Sequence, residues 1–170
     1  MRSAGTVLLS LSVCLASGLG VAAAPAPATG ADEALNGKFL ATSNGQWATT
    51  NLSYHDEATV TSTWTITSVC TTPVDCTGQV VSDAGWTADL HRQNAEWTVK
   101  REVANWETCA DGSAVAGTQE FRFYPASASG VQSAGSAVLI GEDKTAGPSG
   151  ACGRNQWLVI RMPFKLTQIS

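Results

Sequence analysis

The sequence predicts an all-β domain, an antiparallel meander of about eight strands closed as an up-and-down barrel. Three observations predict this fold. From Gly37 onward the apolar residues alternate with period two, no segment has the 3.6-residue periodicity of a helix, and the connections between apolar segments are short and polar. A two-sheet sandwich would use the same strands, but the succession of hairpins favours the barrel.

The individual strands follow from the alternation. In Thr59–Cys70, a row of threonines falls on one face and the apolar side chains fall on the other, as expected for a half-buried strand; these are Val60, Trp64 and Ile66. The same pattern is found in Ala95–Val103 and Leu158–Leu166. Shorter strands are predicted at Lys38–Ser43, Gln79–Ser82, Trp86–Leu90, Glu120–Tyr124 and Ala137–Gly141.

The N-terminus is typical of export. Arg2 precedes an apolar stretch that ends in small residues near Ala24, which predicts a signal peptide over residues 1–24. Two alternatives are a retained membrane anchor, which the interrupting Ser and Gly residues disfavour, and lipid attachment at Cys14, which Val13 disfavours. Residues 25–36 are rich in Pro, Ala and Gly and predict an extended tether. Residues 37–170 then form a single β domain.

Four cysteines remain after residue 24, an even number that predicts two disulfides in an oxidising compartment. Of the three possible pairings we predict Cys70–Cys76, across the end of a hairpin, and Cys109–Cys152, which closes a longer loop. Their spacings are wider than those of structural zinc sites, so we expect no metal. The predicted location is extracellular or in the cell envelope.

Charge and motifs argue against several functions. The formal net charge is −4, and loss of Arg2 with the signal peptide leaves −5, with no basic run that would bind nucleic acid. The cluster His55-Asp56-Glu57 and the isolated His91 are interpreted as solvated loop residues, since adjacent residues on a strand cannot converge on one centre. No nucleophile elbow, phosphate loop or dinucleotide motif occurs. We therefore predict a protein without catalysis or a cofactor.

Tryptophan is the most informative residue type, with six in the chain. Trp64 and Trp97 lie on the apolar faces of their strands, where packing in the core is the default role, while Trp47 follows a turn and is expected to be exposed. Aromatic residues at a barrel mouth can bind a small apolar molecule. These three residues are the predicted ligand site, with the small side chains Ala41, Ser43, Ser62, Ala88 and Ala137 leaving room toward one end.

Several motifs resemble small exported proteins of mycobacteria and related actinobacteria. They are Trp64-Thr65-Ile66-Thr67-Ser68, Asp75-Cys76-Thr77-Gly78, Trp97-Thr98-Val99-Lys100-Arg101, Asn105-Trp106-Glu107-Thr108-Cys109-Ala110-Asp111-Gly112, Gly147-Pro148-Ser149-Gly150-Ala151-Cys152-Gly153 and Arg161-Met162-Pro163. The resemblance implies source and compartment and carries over no functional residue. Gly37-Lys38-Phe39 is also similar to the Gly-x-Trp opening of lipocalin-type barrels, which implies that Arg161 packs near Phe39.

The sequence thus predicts a secreted, non-catalytic barrel that binds a small apolar ligand or a partner in the cell envelope. The mature chain is expected to contain no transmembrane span. Two alternatives stay open, a protein-interaction module with a filled core and an envelope hydrolase. An apolar cavity open at one end would favour the ligand binder, an exposed apolar patch the interaction module, and converging ionisable groups the hydrolase.

Overall fold

The computed structural model describes residues 33–169, so the predicted signal peptide and most of the predicted tether lie outside the described residues. Within this range no helix is long and apolar enough to cross a membrane. Short 3-10 turns occur at Gly45–Trp47 and Ala151–Gly153. The strands are β1 (Gly37–Ser43), β2 (Thr49–Thr50), β3 (Ser53–Tyr54), β4 (Val60–Thr72), β5 (Asp75–Ser82), β6 (Thr87–Gln93), β7 (Glu96–Thr108), β8 (Ala114–Pro125), β9 (Val138–Ala146) and β10 (Val159–Gln168).

The long strands form a closed antiparallel barrel. Their order is β1-β4-β5-β6-β7-β8-β9-β10, and β10 pairs back onto β1, with Phe39 opposite Gln168 and Ser43 opposite Phe164. The predicted all-β, eight-stranded, up-and-down barrel is therefore confirmed. The two short strands β2 and β3 form an additional hairpin that pairs with β10 through Thr49 and Thr50.

Most strands are longer than the sequence pattern predicts, and β7, β8 and β9 extend furthest into the connections. β7 continues to Thr108, β8 begins at Ala114 and β9 runs to Ala146, beyond the strands predicted at Ala95–Val103, Glu120–Tyr124 and Ala137–Gly141. In β7 and β8 the alternation is interrupted because the register between these two strands shifts after Val103. Asn105 takes a left-handed backbone there, with φ 54°. Such a bulge bends the strand and re-aims its side chains.

The barrel interior is filled with aromatic and branched side chains. Trp64 packs against the rings of Phe121, Phe123 and Phe164 at centroid distances of 4.9, 6.3 and 5.3 Å. The buried set that surrounds them is Phe39, Ala41, Ile66, Cys76, Val80, Leu90, Trp97, Val99, Leu139 and Leu166. Eight strands enclose roughly the space that side chains can fill, so little of the interior remains for a ligand.

Both predicted disulfides are present, one at each end of the barrel. Cys70–Cys76 joins β4 to β5 where the two residues face each other in the register, and Cys76 is buried in the core. Cys109–Cys152 joins the β7–β8 connection to the β9–β10 connection. Because it links two connections 43 residues apart, it restrains the loops at its end of the barrel.

Candidate ligand site at the open end of the barrel

The two ends of the barrel are built differently. We call the end with the β4–β5, β6–β7 and β8–β9 connections the capped end, and the end with the β5–β6, β7–β8 and β9–β10 connections the open end. At the capped end the Arg92 guanidinium lies over Trp97, 5.8 Å from the ring centroid. It donates to the Pro73 carbonyl and forms an ion pair with Glu33 (Nη2–Oε2 2.9 Å). Arg92 is 6% exposed and closes this end.

The residues just before β1 complete the cap. Ser68 exchanges hydrogen bonds with the backbone of Leu35: the Leu35 N–H donates to its Oγ (2.8 Å), and that hydroxyl donates to the Leu35 carbonyl (2.9 Å). The Ser68 N–H also donates to Asn36 Oδ1 at 2.8 Å. Leu35 packs against the core. Residues 33–36, which the sequence assigns to the tether, therefore contact the barrel.

The open end holds a cavity of about 170 Å³. Its floor is aromatic, formed by Trp64, Phe121 and Phe164, the same rings that fill the adjacent core. The remaining lining residues are Ala41, Ser43, Val60, Ser62, Ala84, Trp86, Arg101, Gln119 and Asp143. The cavity is thus an apolar recess with a polar wall on one side.

A chain of hydrogen bonds forms the polar wall. Ser43 Oγ donates to Asp143 Oδ2 at 2.6 Å, and Gln119 Nε2 donates to both carboxylate oxygens at 2.8 and 3.0 Å. Arg101 Nε donates to Gln119 Oε1 at 2.7 Å. The Arg101 guanidinium lies over Trp86, 4.7 Å from the ring centroid. Gln119 therefore connects a cation and an anion that do not touch directly.

Burial shifts the pKa of the two charged groups of the polar wall, Asp143 and Arg101. Burial raises the pKa of Asp143 above its ordinary value, although hydrogen bonds from Ser43 and Gln119 and the charge of Arg101 act in the opposite direction. Desolvation lowers the pKa of Arg101, and the charge of Asp143 partly offsets that effect. Asp143 is 5% exposed. Burying a carboxyl group costs free energy unless hydrogen bonds satisfy it, so the bonds from Ser43 and Gln119 stabilise Asp143 in this position.

The period-two alternation brings these polar residues to one level of the barrel. Arg101 comes two residues after the inward-facing Val99, and Gln119 two residues before Phe121. Because alternate residues of a strand face the same side, each polar residue continues an inward row at its open end. Arg101, Gln119 and Asp143 were not predicted from the sequence. The sequence does contain a pattern that could have indicated two of them: Arg101 and Gln119 each lie two positions from an apolar residue that faces the barrel interior.

The three predicted site residues are not brought together. Trp64 is 1% exposed and forms part of the cavity floor. Trp97 is equally buried but lies under Arg92 at the capped end, and Phe123 opposite it in the register contacts Trp64, so protein fills the space between the two tryptophans. Trp47 is 70% exposed and lies outside the barrel beside Met162.

The role assigned to Arg161 from the lipocalin-type opening is wrong. Phe39 is buried opposite Gln168, whereas Arg161 pairs with Thr49 and donates to Glu142 at 2.6 Å. Arg161 and Gln168 are seven positions apart on an extended strand, a distance of about 23 Å. The arginine that does pack on an aromatic ring of the capped end is Arg92.

Two other features lie near the open end. His55 Nδ1 is 3.0 Å from Glu57 Oε1 on the surface, and no group of three metal-ligating side chains occurs within residues 33–169. The β2–β3 hairpin exposes apolar side chains: Leu52 at its turn is 84% exposed with φ 70°, and Trp157 nearby is 47% exposed. A leucine in the left-handed region is uncommon and costs conformational energy.

Comparison with known proteins gives one structural likeness and no sequence family. No protein-family description matches the chain, and no curated protein sequence matches it. Among solved structures, the barrel is similar to the one titled "Monomer form of M.tuberculosis PknI sensor domain", with a TM-score of 0.56 and 17% sequence identity. The match covers 81% of this chain and 88% of that one. At this identity the likeness concerns the fold, which the chain shares with a mycobacterial sensor domain.

Proposed function

We propose that the protein is a non-catalytic binding or sensing domain that acts outside the cytoplasm and takes a small ligand in its open-end cavity. The observation that carries the proposal is the contrast within the barrel interior. Side chains fill the interior, but at the open end an aromatic floor and a buried polar wall border an unfilled cavity of about 170 Å³. Small-molecule sites typically combine an apolar pocket with a few fixed polar groups.

The size of the cavity restricts the ligand. An engineered cavity of about 150 Å³ is large enough to hold benzene. A cavity of about 170 Å³ therefore suits a single ring or a short chain, and a sterol or a long fatty acid would not enter. Two further observations support the proposal: the disulfides fit an oxidising compartment, and the fold is that of a sensor domain. Of the predicted site residues, Trp64 keeps a place in this proposal.

Binding can be tested with single-ring compounds and a variant that fills the cavity. Ala84 is an exposed residue of the β5–β6 turn that lines the cavity, so Ala84→Phe should cover the opening without changing the core. Ala134→Phe, an exposed position in the β8–β9 connection at the capped end, is the matched control. We expect benzyl alcohol, benzamide or benzoate to shift the indole NMR signals of Trp64 and Trp86 in the wild type and in Ala134→Phe.

The expected result in Ala84→Phe is loss of these shifts. If none of the compounds binds at millimolar concentration, or if binding survives unchanged in Ala84→Phe, the proposed function is overturned. Either outcome can be interpreted because Ala84 and Ala134 are both exposed, so we expect both variants to fold.

A second candidate function is binding of a partner in the cell envelope through the β2–β3 hairpin. The observation that favours it is Leu52, an apolar residue held exposed in a costly backbone conformation beside Trp157. The double variant Leu52→Asn, Trp157→Ser should then shift the protein from the envelope fraction to the medium, while binding of small ligands at the open end stays unchanged. Equal retention of variant and wild type in the envelope contradicts this candidate.

A further inference from the structure

We propose that the ligand of the open-end cavity is a small organic carboxylate, with one ring or a short apolar chain, whose carboxylate binds the guanidinium of Arg101. This inference rests on the proposed function and names the ligand class for the same site. It follows from which hydrogen-bonding groups of the site are already used by the protein and which are left.

Most acceptors of the site already receive a hydrogen bond from the protein. Both oxygens of Asp143 accept hydrogen bonds, one from Gln119 alone and the other from Gln119 and Ser43. Gln119 Oε1 accepts from Arg101 Nε. Ser62 Oγ, on the opposite wall, accepts from the Trp64 indole N–H at 3.0 Å. A ligand that brings hydrogen-bond donors would therefore compete with bonds that the protein already makes.

The donors of Arg101 are not exhausted. Of its five N–H groups, only the one on Nε has an acceptor among residues 33–169, and neither terminal nitrogen forms a hydrogen bond or ion pair there. The side chain lines the cavity, and no atom of it is both fully buried and unpaired. The largest unused donor group of the site is thus the guanidinium of Arg101, whose N–H groups match the two oxygens of a carboxylate.

The guanidinium is held in place before a ligand arrives. Its face packs on Trp86 and its Nε is fixed by Gln119, which is itself fixed by Asp143. Because the side chain is already ordered, little rotamer entropy remains to be lost on binding. The apolar part of the ligand would extend from the carboxylate onto the floor formed by Trp64 and Phe164. Arg101 and the aromatic floor together select a molecule with one anionic and one apolar end.

The experiment compares benzoate with its neutral analogue benzyl alcohol by calorimetry and by tryptophan indole NMR. Wild-type protein should bind benzoate about tenfold or more tightly than benzyl alcohol, since hydrogen bonds to charged groups are the stronger ones. Arg101→Gln should weaken benzoate binding by about tenfold or more and leave benzyl alcohol within about threefold. Arg101→Lys should retain part of the preference, because it keeps the charge without the planar fork.

The matched control is Arg122→Gln, which removes the same charge from a side chain on the outer surface, 56% exposed. It should leave the binding of both compounds unchanged. Decanoate, whose carboxylate is the same but whose chain exceeds the cavity, should bind more weakly than benzoate. Thermal unfolding of each variant checks that it is folded before titration.

The outcomes separate this inference from the proposed function. If both compounds bind in the wild type, are blocked by Ala84→Phe, and show no difference that depends on Arg101, the cavity is a binding site and the carboxylate inference is overturned. If neither compound binds, both proposals fail. Equal weakening of benzoate by Arg122→Gln and Arg101→Gln would mean that net charge and not the site governs binding, which also overturns the inference.

Discussion

Each end of this barrel places an arginine over a tryptophan, and the two pairs serve different purposes. At the capped end, Arg92 lies over Trp97, pairs with Glu33 and is 6% exposed. At the open end, Arg101 lies over Trp86, makes one hydrogen bond to Gln119 and remains partly exposed. The terminal nitrogens of Arg92 are paired with Pro73 and Glu33 and only its buried Nε lacks a partner, whereas Arg101 keeps its terminal donors available at the cavity.

The difference shows how one strand can supply both a buried structural end and an end that we propose to bind a ligand. Trp97, Val99 and Arg101 are successive inward residues of β7, so the same alternation that fills the interior also carries a cation to the opening. What decides the role of each arginine is the chain around it. Residues 33–36 cross the capped end and supply Glu33, and no equivalent segment within the described residues covers the cavity at the other end.

The largest expected change in the free energy of unfolding comes from replacing the tryptophans that lie beneath the two arginines. Trp97→Ala should lower the free energy of unfolding by about 3–5 kcal/mol, because it removes a fully buried ring. Trp86→Ala should cost clearly less, since Trp86 is only partly buried at the cavity rim. Urea unfolding of the two variants measures both values. Equal losses would contradict the distinction between a structural and a functional end.

The two ends of the barrel also differ in how strongly their disulfides should stabilise the fold. Removing Cys109–Cys152 as a double Ala variant should cost about 4 kcal/mol by the loop-closure estimate, against about 2 kcal/mol for Cys70–Cys76, because the bridged residues are 43 and 6 positions apart. Denaturant unfolding under non-reducing conditions gives the two values. A greater loss for the Cys70–Cys76 variant would show that packing of the buried Cys76 outweighs loop entropy.

The two arginines should respond in opposite ways to the same substitution. Arg92→Gln breaks a buried ion pair and should cost about 2–3 kcal/mol, less than a fully buried pair because the side chain of Glu33 is 27% exposed. Arg101→Gln should cost about 1 kcal/mol or less in stability, while it removes benzoate binding. Unfolding and calorimetry on both variants test this. If folded Arg92→Gln protein also lost benzoate binding, the assignment of ligand binding to Arg101 alone would be contradicted.

The smallest expected effect is the pH dependence contributed by Asp143. Its pKa is raised in the folded state, so the folded protein binds this proton more readily than the unfolded chain does. The free energy of unfolding should therefore rise as pH falls from above that raised pKa toward the ordinary aspartate value of about 3.9, and level off below it. The nearest charged groups, Arg101 and Glu142, are the same in wild type and Asp143→Asn.

The measurable quantity is the difference in unfolding free energy between wild type and Asp143→Asn as a function of pH. As pH falls from above the raised pKa of Asp143 to about 3.9, the free energy of unfolding of the wild type should increase relative to that of Asp143→Asn. A difference that is constant from pH 7 to pH 4, or that moves the other way, would contradict the assigned direction of the pKa shift.

The sequence by itself determined the class of fold and most of its strands. Alternation over Thr59–Cys70 put Trp64 and Ile66 inside and the threonines outside, because a strand has only two faces and water selects between them. It also predicted the two disulfide pairs, since the first pair flanks a turn and the second then follows. Both inferences depend on local spacing, which the sequence carries directly.

Only the tertiary structure decided where the site lies. Ser43, Arg101, Gln119 and Asp143 come from four strands, and their sequence separations give no sign that they meet. They meet because closing the sheet fixes the register of every strand against its neighbours, and the register sets which inward residues share a level. The same closure separates Trp64 from Trp97 and fills the space between them, because the packing of facing side chains depends on all eight strands at once.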